Sequence, residues 1–128
     1  MSETTLRRIG WGMTALFALF MLGASVLPKL AGMQVAKDPM VALGWPDAPL
    51  MLIGGIELVS TLLFVVPATG VLGAALMMGL LGGAIATNLH AGADLGSHTL
   101  FGVYLGVVMW LGLILRDPKV RAVFPVVR

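Results

Sequence analysis

The sequence predicts an all-α polytopic membrane protein, an antiparallel bundle of four spanning helices, and three observations predict it. Of the 128 residues, 59% are hydrophobic and only 11% are charged, a balance that leaves a soluble domain of this size too little polar surface to face water. The apolar residues fall into four runs, residues 9–27, 50–66, 70–89 and 100–115, each close to the length of about 20 residues that crosses a hydrocarbon core. Arg, Pro, Gly and Asp gather between those runs, where connections belong. Backbone groups in hydrocarbon must bond internally, and the runs do not alternate as barrel strands do, so each reads as a helix. One domain, residues 1–128, accounts for the whole length.

The first run follows Arg7-Arg8 and ends at Pro28. It is longer than the roughly 7 to 15 apolar residues of a signal-peptide core, so it reads as an anchored span. The connection over residues 28–49 is long and mixed. Asp38-Pro39 marks a helix start within it and Gly44-Trp45-Pro46 an interfacial anchor, which predicts a short helix on the outer surface capping the bundle. Pro67-Ala68-Thr69-Gly70 leaves room only for a tight hairpin between the second and third runs. Residues 90–99 carry both histidines, Asp94 and two glycines, and read as a polar loop.

Charge sets the expected orientation. Arg7, Arg8, Arg116, Lys119, Arg121 and Arg128 lie on the side of the termini, against Lys29 and Lys37 on the other, so the termini are expected in the cytoplasm of a bacterial-type inner membrane. A net charge of only +2, with most of the positive groups at the two termini, argues against a nucleic-acid partner; the expected partners are the lipid bilayer and either a membrane protein or a second copy of the chain. With no cysteine, disulfides, thiolate catalysis and iron–sulfur ligation are excluded, and electrons would need a bound cofactor or a partner.

Glu57 is the functional lead. It is the one acid in an uncharged apolar run, and an acidic side chain at a helix centre costs roughly 2.5 to 3.5 kcal/mol on insertion scales, so it should be protonated, paired or facing a polar cavity. Gly54, Ser60 and Thr61 stand three or four residues away and make a small, polar stripe that should face the bundle interior. At about 1.5 Å per residue, Glu57 lies roughly 10 Å below the outer surface. Groups able to approach it there are Lys29, Tyr104, Thr87, Asn88 and His90, with Gly82, Gly83 and Gly106 at similar depth. Gly79 with Gly83, and Gly102 with Gly106, are spaced for close helix packing. Met77, Met78 and Met109 read as adaptable filler, and His90 and His98 as solvated loop residues. No Glu-x-x-His pair occurs on facing helices, so no metal site is expected.

Taken in order, Ser25 to Leu30 with Lys29, the Gly44-Trp45 step, Gly54 to Leu58 with Glu57, Pro67 to Gly70 running into Gly73-Ala74, Gly82-Gly83-Ala84 through Thr87, and Trp110 to Pro118 make the chain resemble the DoxX-like family of small four-helix membrane proteins. The family often has a histidine where this chain has Asn88 and a basic residue where it has His90. The resemblance implies roles as varied as a subunit of a thiosulfate:quinone oxidoreductase, a component of a membrane redox complex and an assistant in receptor assembly. The first expectation is therefore a non-catalytic membrane subunit or accessory protein, not an enzyme on its own. The alternative is a quinone- or small-molecule-binding component of a membrane oxidoreductase, with Glu57 in an outward-facing pocket and quinone as the cofactor. A transporter or proton-conducting element is the third reading, weakened by the lack of any polar relay below Glu57.

Overall fold

The computed structural model describes all 128 residues, and every regular element in it is helical. The first helix, α1, runs from Glu3 to Leu30, starting well before the apolar run. The Ser2 side chain accepts the Thr5 N–H at 3.2 Å, and Glu3 sits in the first turn, so a hydroxyl cap and an acid at the positive end of the helix set the start. The turn over Met21–Val26 is widened to a π-helix, with the Leu27 N–H bonding the Leu22 carbonyl. Pro28 explains it: proline has no N–H and crowds the carbonyl one turn back, and the wider turn absorbs the misfit, so the helix continues to Leu30.

The predicted surface helix is present as α2, Gln34–Ala42. It begins before the Asp38-Pro39 pair, which lies inside it. Asp38 accepts a hydrogen bond from Gln34 Nε2 at 2.6 Å, one turn away, rather than capping the start.

Helix α3, Leu50–Val65, is followed by a 3₁₀ turn, Pro67–Thr69, that opens α4, Pro67–Ala91. Gly92 ends α4 in the left-handed conformation, φ 70°, which glycine adopts without steric cost. Helix α5 occupies Leu95–Arg116, so residues 95–99 are its first turns and not the polar loop their composition suggests. Asp94 is the reason: its carboxylate accepts both the Ser97 N–H, at 2.9 Å, and the Ser97 hydroxyl, at 2.6 Å, a cap strong enough to start a helix across Gly96. A short α6, Pro118–Val123, turns back under the bundle, where Arg121 donates to the carbonyls of Ile114 and Leu115 at the end of α5 and pairs with Glu3 at 3.1 Å.

Helices α1, α4 and α5 are long and apolar enough to cross a membrane. Helix α3 is equally apolar but has 16 residues, about 24 Å of rise against roughly 30 Å of hydrocarbon. Length and composition thus identify three candidate spans where the sequence suggests four.

Helix α1 packs along α5, α5 against α4, and α4 against α3 as a hairpin, and α3 closes the ring on the π turn of α1. Phe17, Met21, Phe64, Met77, Met109 and Leu113 fill the centre, with Phe17 edge-on to Phe64 at 5.4 Å, the geometry aromatic quadrupoles favour. Only 25 residues are buried, while Leu16, Leu19, Met51, Leu52, Val59 and Leu62 all point outward. A continuous apolar exterior of this kind belongs in lipid rather than water.

Glycine makes the closest crossings. A Cβ on Gly73 would lie 2.6 Å from Phe64 Cα, and one on Gly10 2.7 Å from the Leu115 carbonyl carbon, so these backbones meet only because no side chain intervenes. Gly102 faces Ile85 at 3.0 Å and Gly106 the Met78 sulfur at 3.4 Å, so this pair lies against α4. The other predicted packing pair is corrected: nothing lies within 4 Å of a Cβ on Gly79 or Gly83. The face of α4 that carries them looks into a cavity, not onto a helix.

Candidate functional site

The π turn and the turn after it place Ser25 and Lys29 together on α1, and α3 presents Glu57 opposite. A Cβ on Gly54 would already touch Lys29 Cβ at 3.0 Å, so it is a small residue on α3 that lets the two helices approach closely enough for the charges to meet. Lys29 Nζ lies 3.1 Å from Glu57 Oε1 and 3.3 Å from Oε2. It also donates to Ser25 Oγ at 2.7 Å, and Ser25 in turn donates to Glu57 Oε2 at 2.7 Å. The side chains of Lys29 and Glu57 are 14% and 7% exposed. Such burial is tolerable because each charge has its counter-charge and both are hydrogen-bonded. The stripe on α3 faces inward as its spacing predicts: Gly54, Ser60 and Thr61 are buried, and Thr61 donates to the Glu57 carbonyl at 2.7 Å.

The trio forms the polar end of a cavity of about 540 Å³. Phe20 and Met21 of α1, Ile53 of α3, and Phe101 and Leu105 of α5 supply apolar walls, and Met40, Leu43 and Trp45 of the first connection cover it. Gly79 and Gly83 line it from α4, and the side chains they lack are the reason the space stays open. Thr87, Asn88 and His98 complete the lining at the end of the bundle opposite the termini.

Of the partners foreseen for Glu57, Lys29 alone reaches it. Thr87 and Asn88 line the cavity, but each side chain donates to its own helix, to the Gly83 and Ala84 carbonyls at 2.8 Å. His90 is exposed at the end of α4 and takes no part in the lining. Tyr104 is corrected outright as a partner: it is 48% exposed, and its hydroxyl donates to the Gly96 carbonyl at 2.9 Å, two turns back on its own helix. His98, which reads in the sequence as a solvated loop residue, is exposed but belongs to the first turns of α5 and is also among the residues lining the cavity. Its Nδ1 lies 2.7 Å from Ser97 Oγ. The neighbouring Asp94 carboxyl is held below its ordinary range, first by the Ser97 hydroxyl and then by the Ser97 N–H.

Sequence reasoning missed two residues. Ser25 is noticed only as part of a segment, although its position one turn before Lys29 is a usable signal. Arg116 reads as a topology charge but is 4% exposed. It donates to Thr14 Oγ1 at 3.1 Å and to the Phe64 carbonyl, and its guanidinium lies over the rings of Trp11 and Phe64 at 4.5 and 4.7 Å. It satisfies the free carbonyl end of α3 beside Thr69, which donates to the Leu63 carbonyl at 2.7 Å, so its place is structural.

A family model for the DoxX-like family matches residues 12–112. The chain belongs to the DoxX-like family. The matched region holds the Ser25, Lys29 and Glu57 cluster and every residue that lines the cavity, and it stops short of Arg116. No curated protein and no solved structure matches the chain.

Proposed function

We propose that this DoxX-like chain is a membrane component that holds a small amphiphilic molecule, of quinone type, between its helices. The observation that carries this reading is the cavity of about 540 Å³ with apolar walls and one charged, hydrogen-bonding end. Its size falls within the roughly 300 to 1,000 Å³ of small-molecule sites. The Lys29 ammonium, with three protons, can donate to a carbonyl oxygen, and the apolar walls suit a ring and its isoprenoid tail. The chain has no cysteine, so electron transfer would fall to a partner, and the chain serves as a subunit of a membrane oxidoreductase rather than an enzyme on its own.

The topology that goes with it has α3 as a fourth, short span, extended by the 3₁₀ turn and flanked by snorkelling or local thinning of the bilayer. The termini, with their six Lys and Arg residues, face the cytoplasm of a bacterial-type inner membrane.

The test is native mass spectrometry and solvent extraction of protein purified in mild detergent. Retained quinone, lost in Gly83→Leu, is the expected result. Protein that retains none, and whose fluorescence is not quenched by added decylubiquinone, would end the reading. The accessory-subunit reading stands second. Gly79, Gly82 and Gly83 are exposed on α4 with nothing within 4 Å, a surface on which another helix can lie, and a membrane protein retained in the same experiment would favour it. A proton-conducting role draws less support, since Glu57 is neutralised by Lys29 and Thr61 below it is bound to the Glu57 carbonyl.

A further inference from the structure

We propose that His98 presents a hydrogen-bond acceptor to the cavity, so that the site selects a ligand bearing a hydroxyl donor, a phenol or the hydroquinone form of a quinone, over its ether or carbonyl counterpart. The inference rests on the ligand-binding reading above and concerns which member of the class the site prefers.

The Ser97 hydroxyl has one proton, and Asp94 Oδ2, 2.6 Å away, is a carboxylate oxygen that can only accept. That proton is therefore committed to Asp94. His98 Nδ1 lies 2.7 Å from the same hydroxyl oxygen, and with the hydroxyl proton used elsewhere the contact must be Nδ1–H donating to Ser97. A neutral imidazole carries a single N–H, so Nε2 keeps a bare lone pair. His98 lines the cavity, and Nε2 is the ring nitrogen left to serve it.

The other groups around the cavity are mostly committed elsewhere. From α1 and α3 come Lys29 and Glu57, bonded to each other and to Ser25. From α4 come Thr87 and Asn88, whose protons go to their own helix, and the Asn88 carbonyl oxygen is a second acceptor. The first connection adds Trp45, whose indole only donates. Asp94 faces Ser97 on the His98 side. A ligand hydroxyl thus finds free acceptors at His98 and Asn88, while a carbonyl or ether oxygen meets lone pairs there.

The test compares 4-nonylphenol with its methyl ether, 4-nonylanisole, a pair that differs in the donor and cannot change redox state. Binding is measured to the full chain in lipid nanodiscs, with empty nanodiscs as the partition control. At pH 7.5 the phenol should bind about three- to tenfold more tightly, the range of one neutral hydrogen bond. His98→Phe should lower the ratio with the ether's affinity kept, and Ser97→Ala should lower it as well. Equal binding of both probes at pH 7.5 overturns the inference and leaves the ligand reading standing, as does a ratio unchanged in His98→Phe, which would assign the acceptor to Asn88. If neither probe binds, both fall. Nitrogen-15 shifts of the His98 ring in the ligand-free protein provide a second readout that needs no variant: the Nδ1–H form is expected, and the Nε2–H form overturns the proposal.

Discussion

The Ser25 hydroxyl sits between Lys29 and Glu57, 2.7 Å from the Lys29 ammonium and 2.7 Å from Glu57 Oε2, while the two charges meet at 3.1 Å. The three groups satisfy one another and hold α1 to α3 at the floor of the cavity. Removing either charge leaves the other without its counter-charge.

Single neutralising substitutions in the pair should therefore be costly. Lys29→Leu or Glu57→Leu alone strands a charge and is expected to destabilise by about 3 to 5 kcal/mol, whereas the double substitution should recover most of the loss. Glu57→Gln keeps shape and hydrogen bonding and should cost less than Glu57→Leu. Thermal aggregation monitored by size exclusion in detergent measures all four variants. A double variant as unstable as the sum of the singles would show that the pair does not act as a unit.

Arg116 should resist its usual conservative replacement. Its planar head reaches Thr14 and the Phe64 carbonyl while lying over Trp11 and Phe64, and a lysine ammonium cannot make that set of contacts at once. Arg116→Lys is expected to lower stability by about 2 kcal/mol or more, and Thr14→Val by about 1 kcal/mol. Comparable melting temperatures for Arg116→Lys and wild type would refute this role.

Two classes of glycine should separate cleanly. Gly73→Ala drives a methyl group into the Phe64 backbone and Gly10→Ala into the α5 backbone, so both should block assembly of the bundle. Gly82→Ala meets open space and should be neutral or stabilising by up to about 1 kcal/mol through helix propensity. Gly83→Leu should likewise fold yet lose any retained ligand by filling the cavity. Expression level and detergent-resistant monodispersity report the first pair, and ligand extraction the last.

The start of α5 should loosen in acid. The Asp94 carboxyl is held below its ordinary range by Ser97, so its cap stabilises the folded state fully above the unfolded value and is lost as pH falls through the lower folded value. Protection factors of the amides over residues 95–99, exchange rates corrected for the intrinsic pH dependence, are expected to fall below about pH 4, near the ordinary carboxylate range, and in Asp94→Ala to be low at every pH. Protection factors in the wild type that do not change between pH 7 and pH 3 would contradict the cap.

Much of the site was legible because its cost was legible. An acid in an apolar run needs a partner, and the spacing of Gly54, Ser60 and Thr61 identified the face of α3 that turns inward. Lys29 was in reach by depth alone. Tyr104 and His90 passed the same test of depth yet lie elsewhere, because depth along a helix says nothing about rotation about its axis. Residues 95–99 looked like a loop by composition, but one Asp94–Ser97 cap decided otherwise.

By itself the sequence determined the membrane character, the helices and the single buried acid, since these depend on local hydropathy, caps and breakers. Only the tertiary structure decided that Gly102 lies against α4 while Gly83 borders empty space, that Ser25 joins the charged pair, and that Arg116 is buried and not a surface charge. The physical reason is common to all three: a side chain's environment is made by the neighbouring helix, and which faces meet is a property of packing that no single segment carries.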